Sequence, residues 1–115
     1  MQCNIEFKDF EPDRRVATLI DRRAAKLEKT NRTFSPDAVY LRLIVEHNSG
    51  RSLYAISITL EVPRRTVAAK EEQHDLQAGI TAAFAEIERQ LEKYKENLRK
   101  SHRPSKRVIK EARGT

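Results

Sequence analysis

The chain has 115 residues, enough for one hydrophobic core and too few for a second. Charged side chains make up 35% and glycines number only 3, which excludes collagen-like and flexible low-complexity chains. No apolar run approaches the roughly 20 residues of a membrane-spanning helix, so no membrane partner is expected.

Residues 2–8 alternate, with Cys3, Ile5 and Phe7 on one side and Asn4, Glu6 and Lys8 on the other. Period two predicts a strand with one buried face, and Cys3 on that face reads as a small core hydrophobe. Pro12 suits the first turn of a helix, where its missing N–H is no loss. From Asp13 to Lys29, Val16, Leu19, Ile20, Ala24 and Leu27 have helical spacing. The Asn31–Pro36 stretch is a loop.

Two longer strands and a short one follow. Residues 38–46 put Val39, Leu41, Leu43 and Val45 on one face, and residues 53–62 put Tyr54, Ile56, Ile58, Leu60 and Val62 inward. Asn48-Ser49-Gly50-Arg51 between them has hairpin chemistry. Pro63-Arg64-Arg65 is a second tight connection, leading to a strand at Thr66–Lys70 with Val67 and Ala69 inward. A long helix then carries Leu76, Ile80, Phe84, Ile87, Leu91, Tyr94 and Leu98 at steps of four or three, with Asp75 as its N-cap. Pro104 ends it by disfavouring the helical conformation at Arg103. Residues 1–103 thus form one domain, and 104–115 form a basic C-terminal tail expected to be disordered alone.

The order β-α-β-β-β-α predicts an α+β two-layer sandwich. Strands one and two should be parallel across the helical crossover, followed by an antiparallel meander, with both helices on one face of a four-stranded mixed sheet.

The formal net charge is +6. Residues 1–98 hold 16 basic and 16 acidic side chains, so the excess lies in the last seventeen residues. On the first helix, Arg15, Arg22, Lys26 and Lys29 align opposite the core residues, flanked by Arg14 and Arg23, with Asp21 and Glu28 nearer the core edge. Such a stripe is either an ordinary solvated face or a surface for an external anion. Like charges at i, i+4 (Arg22, Lys26) cost a few tenths of a kcal/mol, and without acidic partners along the line they suggest an anion. The second helix points Arg89, Lys93, Lys100 and Arg103 away from its core but shares that surface with Glu92 and Glu96. Side by side, the two helices would present the electrostatic footprint of a structured nucleic-acid binder.

Catalytic chemistry finds no support. His47, His74 and His102 lie in three separate elements, and no HxH, HxxxH or CxxC spacing offers a metal site. Glycines at 50, 79 and 114 alone rule out GxSxG, Walker-type and GxGxxG sequences. The expectation is a non-enzyme without metal, cofactor or small-molecule substrate. The single Cys3 and the polar first nine residues, unlike a signal peptide, point to a reducing cytoplasm. The exposed sheet face offers Tyr40 rather than a row of aromatics, so any RNA should bind by backbone and shape on the helical side.

Two stretches resemble a known family, the ribosome hibernation promoting factors and ribosome-associated inhibitor A proteins in their short form. One runs from Ala69-Lys-Glu-Glu-Gln-His-Asp-Leu-Gln-Ala-Gly-Ile80 to Glu88-Arg-Gln-Leu-Glu-Lys-Tyr-Lys95; the other is Ala25-Lys-Leu-Glu28 followed by Val39-Tyr40-Leu41-Arg42-Leu43. The resemblance covers residues 1 to about 100 and implies a non-catalytic factor on the small ribosomal subunit and its rRNA. There it would occupy the mRNA/tRNA channel, inhibit translation and preserve idle ribosomes under stress. It also implies that Arg23, Lys26, Arg89, Lys93, Lys95, Arg99 and Lys100 face RNA, to which the helical wheel adds Arg15, Arg22 and Lys29. Gln77 departs from the family's usual tyrosine, and Arg64-Arg65 occupies a hairpin that often contains glycine. A reading from another class stays open: a protein-interaction module acting on transcription machinery, as the family's older association with sigma-factor modulation suggests.

Overall fold

The computed structural model describes residues 1–102; the expected tail at 104–115 lies outside them. Strand β1 (Gln2–Lys8), helix α1 (Arg14–Thr30), strands β2 (Tyr40–Asn48), β3 (Leu53–Val62) and β4 (Arg65–Gln73), and helix α2 (Leu76–His102) follow in the expected order, with a short 3-10 turn at Pro36–Ala38. The sheet order is β1-β2-β3-β4. β1 pairs parallel to β2, and the β2–β3 and β3–β4 pairs are antiparallel.

Register aligns the apolar positions on one face. Ile5 pairs with Leu43, Leu43 with Ile58 and Ile58 with Ala69, and side chains that pair across a sheet share a side. Over that side lie Val16, Ile20 and Leu27 of α1 and Ile80, Phe84, Ile87 and Leu91 of α2, all in one core cluster with Leu43, Ile58 and Ala69. Both helices therefore cover the same face, as two amphipathic stripes above a single half-apolar sheet require.

Asp13, not Pro12, starts α1: its carboxylate accepts from the Val16 N–H at 2.9 Å, which places Pro12 just before the cap. Asp75 caps α2, accepting from the amides of Gln77 at 3.0 Å and Ala78 at 3.3 Å. Strand β4 runs longer than its apolar residues suggest, because Glu71, Glu72 and Gln73 continue the ladder opposite Ile56, Ala55 and Tyr54.

The first strand departs from expectation. Cys3 is exposed and Ile5 is 37% exposed, while their neighbours Leu41 and Leu43 on β2 are fully buried. The helical layer thus covers β2 and stops short of the outer strand. Desolvation, then the nearby Glu28 carboxylate, raises the pKa of Cys3, which disfavours a reactive thiolate. At the other end of β1 an aromatic group closes the core. Phe10 meets Phe7 and Tyr54 edge-on at 5.6 and 5.3 Å, and Tyr54 stacks on His47 at 4.5 Å.

Two backbone features bear on the surface. A Cβ at Gly79 would stand 2.5 Å from Cδ1 of Ile56, so glycine lets the first turns of α2 lie directly on the sheet. The β3–β4 turn has two residues, Pro63 and Arg64, because Val62 pairs with Arg65. Arg64 takes φ of 68°. Proline followed by a positive φ is the pattern of a type II turn, whose second central position favours glycine. A left-handed arginine there costs about 1 kcal/mol.

Candidate nucleic-acid interface

Contacts between the helices fix their relative direction. The Arg14–Arg22 end of α1 faces Gln77, Arg23 and Lys26 face Glu88, and Thr30 faces Lys95. Position rises together on both, so α1 and α2 run parallel, and the stripe on α1 lies beside α2 along its length.

Some of the ten expected cations are open to a ligand and others are already engaged. Arg15 and Arg22 are exposed and line one interhelical cleft with Arg14, Thr18, Leu19 and Gln77. Lys29 is exposed at the end of α1, and Lys93, Arg99 and Lys100 are exposed on α2. Among the described residues, none of these six forms an ion pair.

The other four have partners. The Glu88 carboxylate lies 3.5 Å from the Arg23 guanidinium and 3.7 Å from Lys26 Nζ. This corrects the expectation that the stripe lacks acidic partners: the neutralising carboxylate comes from the other helix, where a single-helix wheel cannot show it. Lys26 keeps 61% of its side chain exposed and can still reach outward, whereas Arg23 keeps 21%. Arg89 is held by Glu86 through two hydrogen bonds at 3.0 and 2.7 Å. Those bonds, with a third from Gln90, lower the Glu86 pKa to about 2. Lys95 donates to the main-chain carbonyl of Thr30, one of the orphan acceptors at the end of α1. Burial of the ammonium, first, and then the nearby Arg99 charge lower its pKa against the opposing pull of Glu92.

Three basic residues outside the expected set share this surface. Arg14 lines the interhelical cleft. On the opposite flank of α2, Arg64 and Arg65 are exposed on the β3–β4 hairpin. Arg65 sits 5.8 Å above the Tyr94 ring, and the Tyr94 hydroxyl donates to the Pro63 carbonyl at 2.8 Å. The adjacent arginines were visible as a sequence; their placement beside Lys93 depends on the hairpin folding back onto α2.

No group of three or more metal-ligating side chains occurs among the described residues, and no described helix is long and apolar enough to cross a membrane. The Nδ1 of His74 is engaged with the Ser52 carbonyl at 2.8 Å.

Fold and site together define a β-α-β-β-β-α two-layer domain with a cationic helical layer. The family model described as "Sigma 54 modulation protein / S30EA ribosomal protein" matches residues 3–99, and the chain belongs to that family. Among solved structures, a ribosomal subunit interface protein from Coxiella burnetii superposes with a TM-score of 0.66 at 17% identity, covering 84% of this chain and 99% of its own. The N-terminal domain of Protein Y from Thermus thermophilus gives 0.65 at 17% identity, covering 82% and 99%. At that identity they establish the shared fold. No curated protein matches the chain.

Proposed function

We propose that the protein is a non-catalytic, cytoplasmic factor that binds the small ribosomal subunit through rRNA. Its cationic helical layer occupies the mRNA/tRNA channel, inhibits translation and preserves idle ribosomes under stress. The observation that carries this reading is the parallel seating of α1 and α2 over one face of the sheet, which sets Arg15, Arg22 and Lys26 of α1 and the exposed Lys93, Arg99 and Lys100 of α2 in the same helical layer. Membership of a family described by a ribosomal protein, and a fold shared with a protein described as a ribosomal subunit interface protein, support the same partner.

The mechanism is electrostatic occlusion. Each phosphate contacted by an arginine or lysine releases condensed counterions, which makes binding strong at low salt and steeply salt-dependent. No bond is made or broken. A rigid domain in the channel competes with mRNA and tRNA by volume and charge. Arg15, Arg22, Lys26, Lys29, Lys93, Arg99 and Lys100 would contact phosphates directly. Arg23, Arg89 and Lys95 would act chiefly through the partners that hold them in place.

Sucrose-gradient fractionation of stationary-phase lysate tests the partner, with the protein expected in the small-subunit and monosome fractions. Charge reversal of Arg22, Lys26 and Lys93 together should remove it from those fractions and leave the melting temperature nearly unchanged. Wild-type protein at the top of the gradient, co-purifying with RNA polymerase, would overturn the reading in favour of a role in transcription.

A further inference from the structure

We propose that the β3–β4 hairpin forms a second RNA-backbone contact, in which Arg64, Arg65 and Lys93 grip phosphates on the flank of α2 that faces away from α1. The inference rests on the reading above and deepens it: α2 becomes a ridge with RNA on both flanks, not one wall of a single groove.

Four observations meet at this place. First, Arg64 occupies a turn position with φ of 68°, where glycine is favoured. A strained side chain persists where the surroundings over-determine it, and such positions cluster at functional sites. Second, the hairpin is fixed to α2 at two points, by the Tyr94 hydroxyl on the Pro63 carbonyl at 2.8 Å and by Arg65 over the Tyr94 ring at 5.8 Å. The guanidinium is therefore pre-organised, which lowers the ordering cost of binding. Third, between hairpin and helix lies a cleft of about 240 Å³ lined by Arg65, Lys93 and Asn97. These offer two cations and an amide donor, the groups that take phosphate oxygens. Fourth, among the described residues none of Arg64, Arg65 and Lys93 has an acidic partner. Glu92 and Glu96 neighbour Lys93 in sequence but form no ion pair with it, and Glu86, two turns earlier on the helix, is already engaged by Arg89 and Gln90.

Phosphate is favoured over an acidic protein because Lys100 stands seven residues, two helical turns, beyond Lys93 on the same face of α2, so the flank continues its cations along one rigid axis. A backbone with regularly spaced charges fits such a line.

The test uses the full chain and purified small subunits, with affinity measured across a salt series and hydroxyl-radical footprinting of the rRNA. Arg64→Gly with Arg65→Gln is compared with Arg15→Gln with Arg22→Gln. Each lost phosphate contact should make the salt slope shallower by about 0.7–0.9 and weaken binding roughly fivefold near 0.15 M salt. The hairpin variant should lose about 25-fold and erase a protected rRNA segment that the interhelical variant leaves protected. Arg64→Gly alone should hold or raise the melting temperature while the slope becomes shallower by about one unit.

If wild-type protein binds and the interhelical variant fails, but the hairpin variant keeps slope and footprint, the inference is overturned and the hairpin is left for an acidic protein partner. A lower melting temperature in Arg64→Gly with unchanged binding would also overturn it. Failure of the wild type itself to bind small subunits would instead remove the reading on which it rests.

Discussion

The Glu88 carboxylate of α2 reaches across to within 3.5 Å of the Arg23 guanidinium of α1, with about four-fifths of each side chain withdrawn from solvent. This pair joins the two helices and, with Lys26 at 3.7 Å, neutralises the middle of the cationic layer. Glu88→Gln keeps the shape and removes the charge. It should destabilise the fold by about 1 kcal/mol, the usual worth of a partly exposed ion pair, read from urea denaturation. The same variant should bind small subunits more tightly and hold on at higher salt, because no carboxylate then offsets the charges of Arg23 and Lys26. Weaker binding would show that Glu88 positions the cations more than it masks them.

Packing at Gly79 makes a second prediction. Alanine would gain about 1 kcal/mol of helix propensity, but its methyl would meet Cδ1 of the buried Ile56 at 2.5 Å and Cγ of Gln73 at 3.2 Å. Overpacking of this kind costs typically 1–3 kcal/mol, so Gly79→Ala should destabilise by about 1 kcal/mol net. Ile56→Val removes the clashing carbon and costs about 1 kcal/mol alone. The double variant should be more stable than the sum of the two predicts, a coupling that a double-mutant cycle measures.

The Glu86–Arg89 pair gives a pH-dependent signature. Hydrogen bonds from Arg89 and Gln90 hold the Glu86 pKa at about 2, below its unfolded value. Any stability it confers is complete above the unfolded pKa and is lost as pH falls towards 2. Carboxyl NMR titration should find Glu86 still ionised well below the usual carboxylate range, and Arg89→Ala should return it towards that range. Because Arg89 is already paired, Arg89→Ala should weaken ribosome binding less than Lys93→Ala does.

Capping supplies a plainer check. Asp13→Ala removes the acceptor for the Val16 amide at 2.9 Å and should cost about 1 kcal/mol, lowering the melting temperature by roughly 4–8 °C for a domain of this size. Binding by the remaining folded fraction should be unchanged.

The architecture was legible from periodicity because each element has one apolar side and nothing competes with it. The two-residue period of residues 38–46 and 53–62, and the three- and four-residue steps from Leu76 to Leu98, leave a single arrangement that buries all of them. Cys3 and Ile5 were misjudged because alternation reports which side of the sheet a residue faces, not how far the covering layer extends. That reach depends on where α1 settles, and it settles inward of β1. The cations were legible as types and helix positions. Their partners were not, since Glu88 comes from the other helix and the Thr30 carbonyl that holds Lys95 belongs to the main chain. The neighbourhood of Arg64, Arg65 and Lys93 was hidden for a related reason: it exists only once the turn closes and Tyr94 docks beneath it.

Parallel seating of the two helices gives the domain an electrical polarity apart from its side chains. Peptide dipoles that point the same way leave partial positive charge at the end where both helices begin and partial negative charge where α1 ends. Lys29 and Lys95, close to that terminus, sit where the backbone welcomes a cation and so serve the fold whether or not a ligand is bound. Arg14 and Arg15 stand in the opening turn of α1, which carries no acidic residue, and there the backbone repels them. Exchanging either for glutamate should make the free protein sturdier and its grip on a polyanion poorer, separating the charges that serve folding from those kept against its preference.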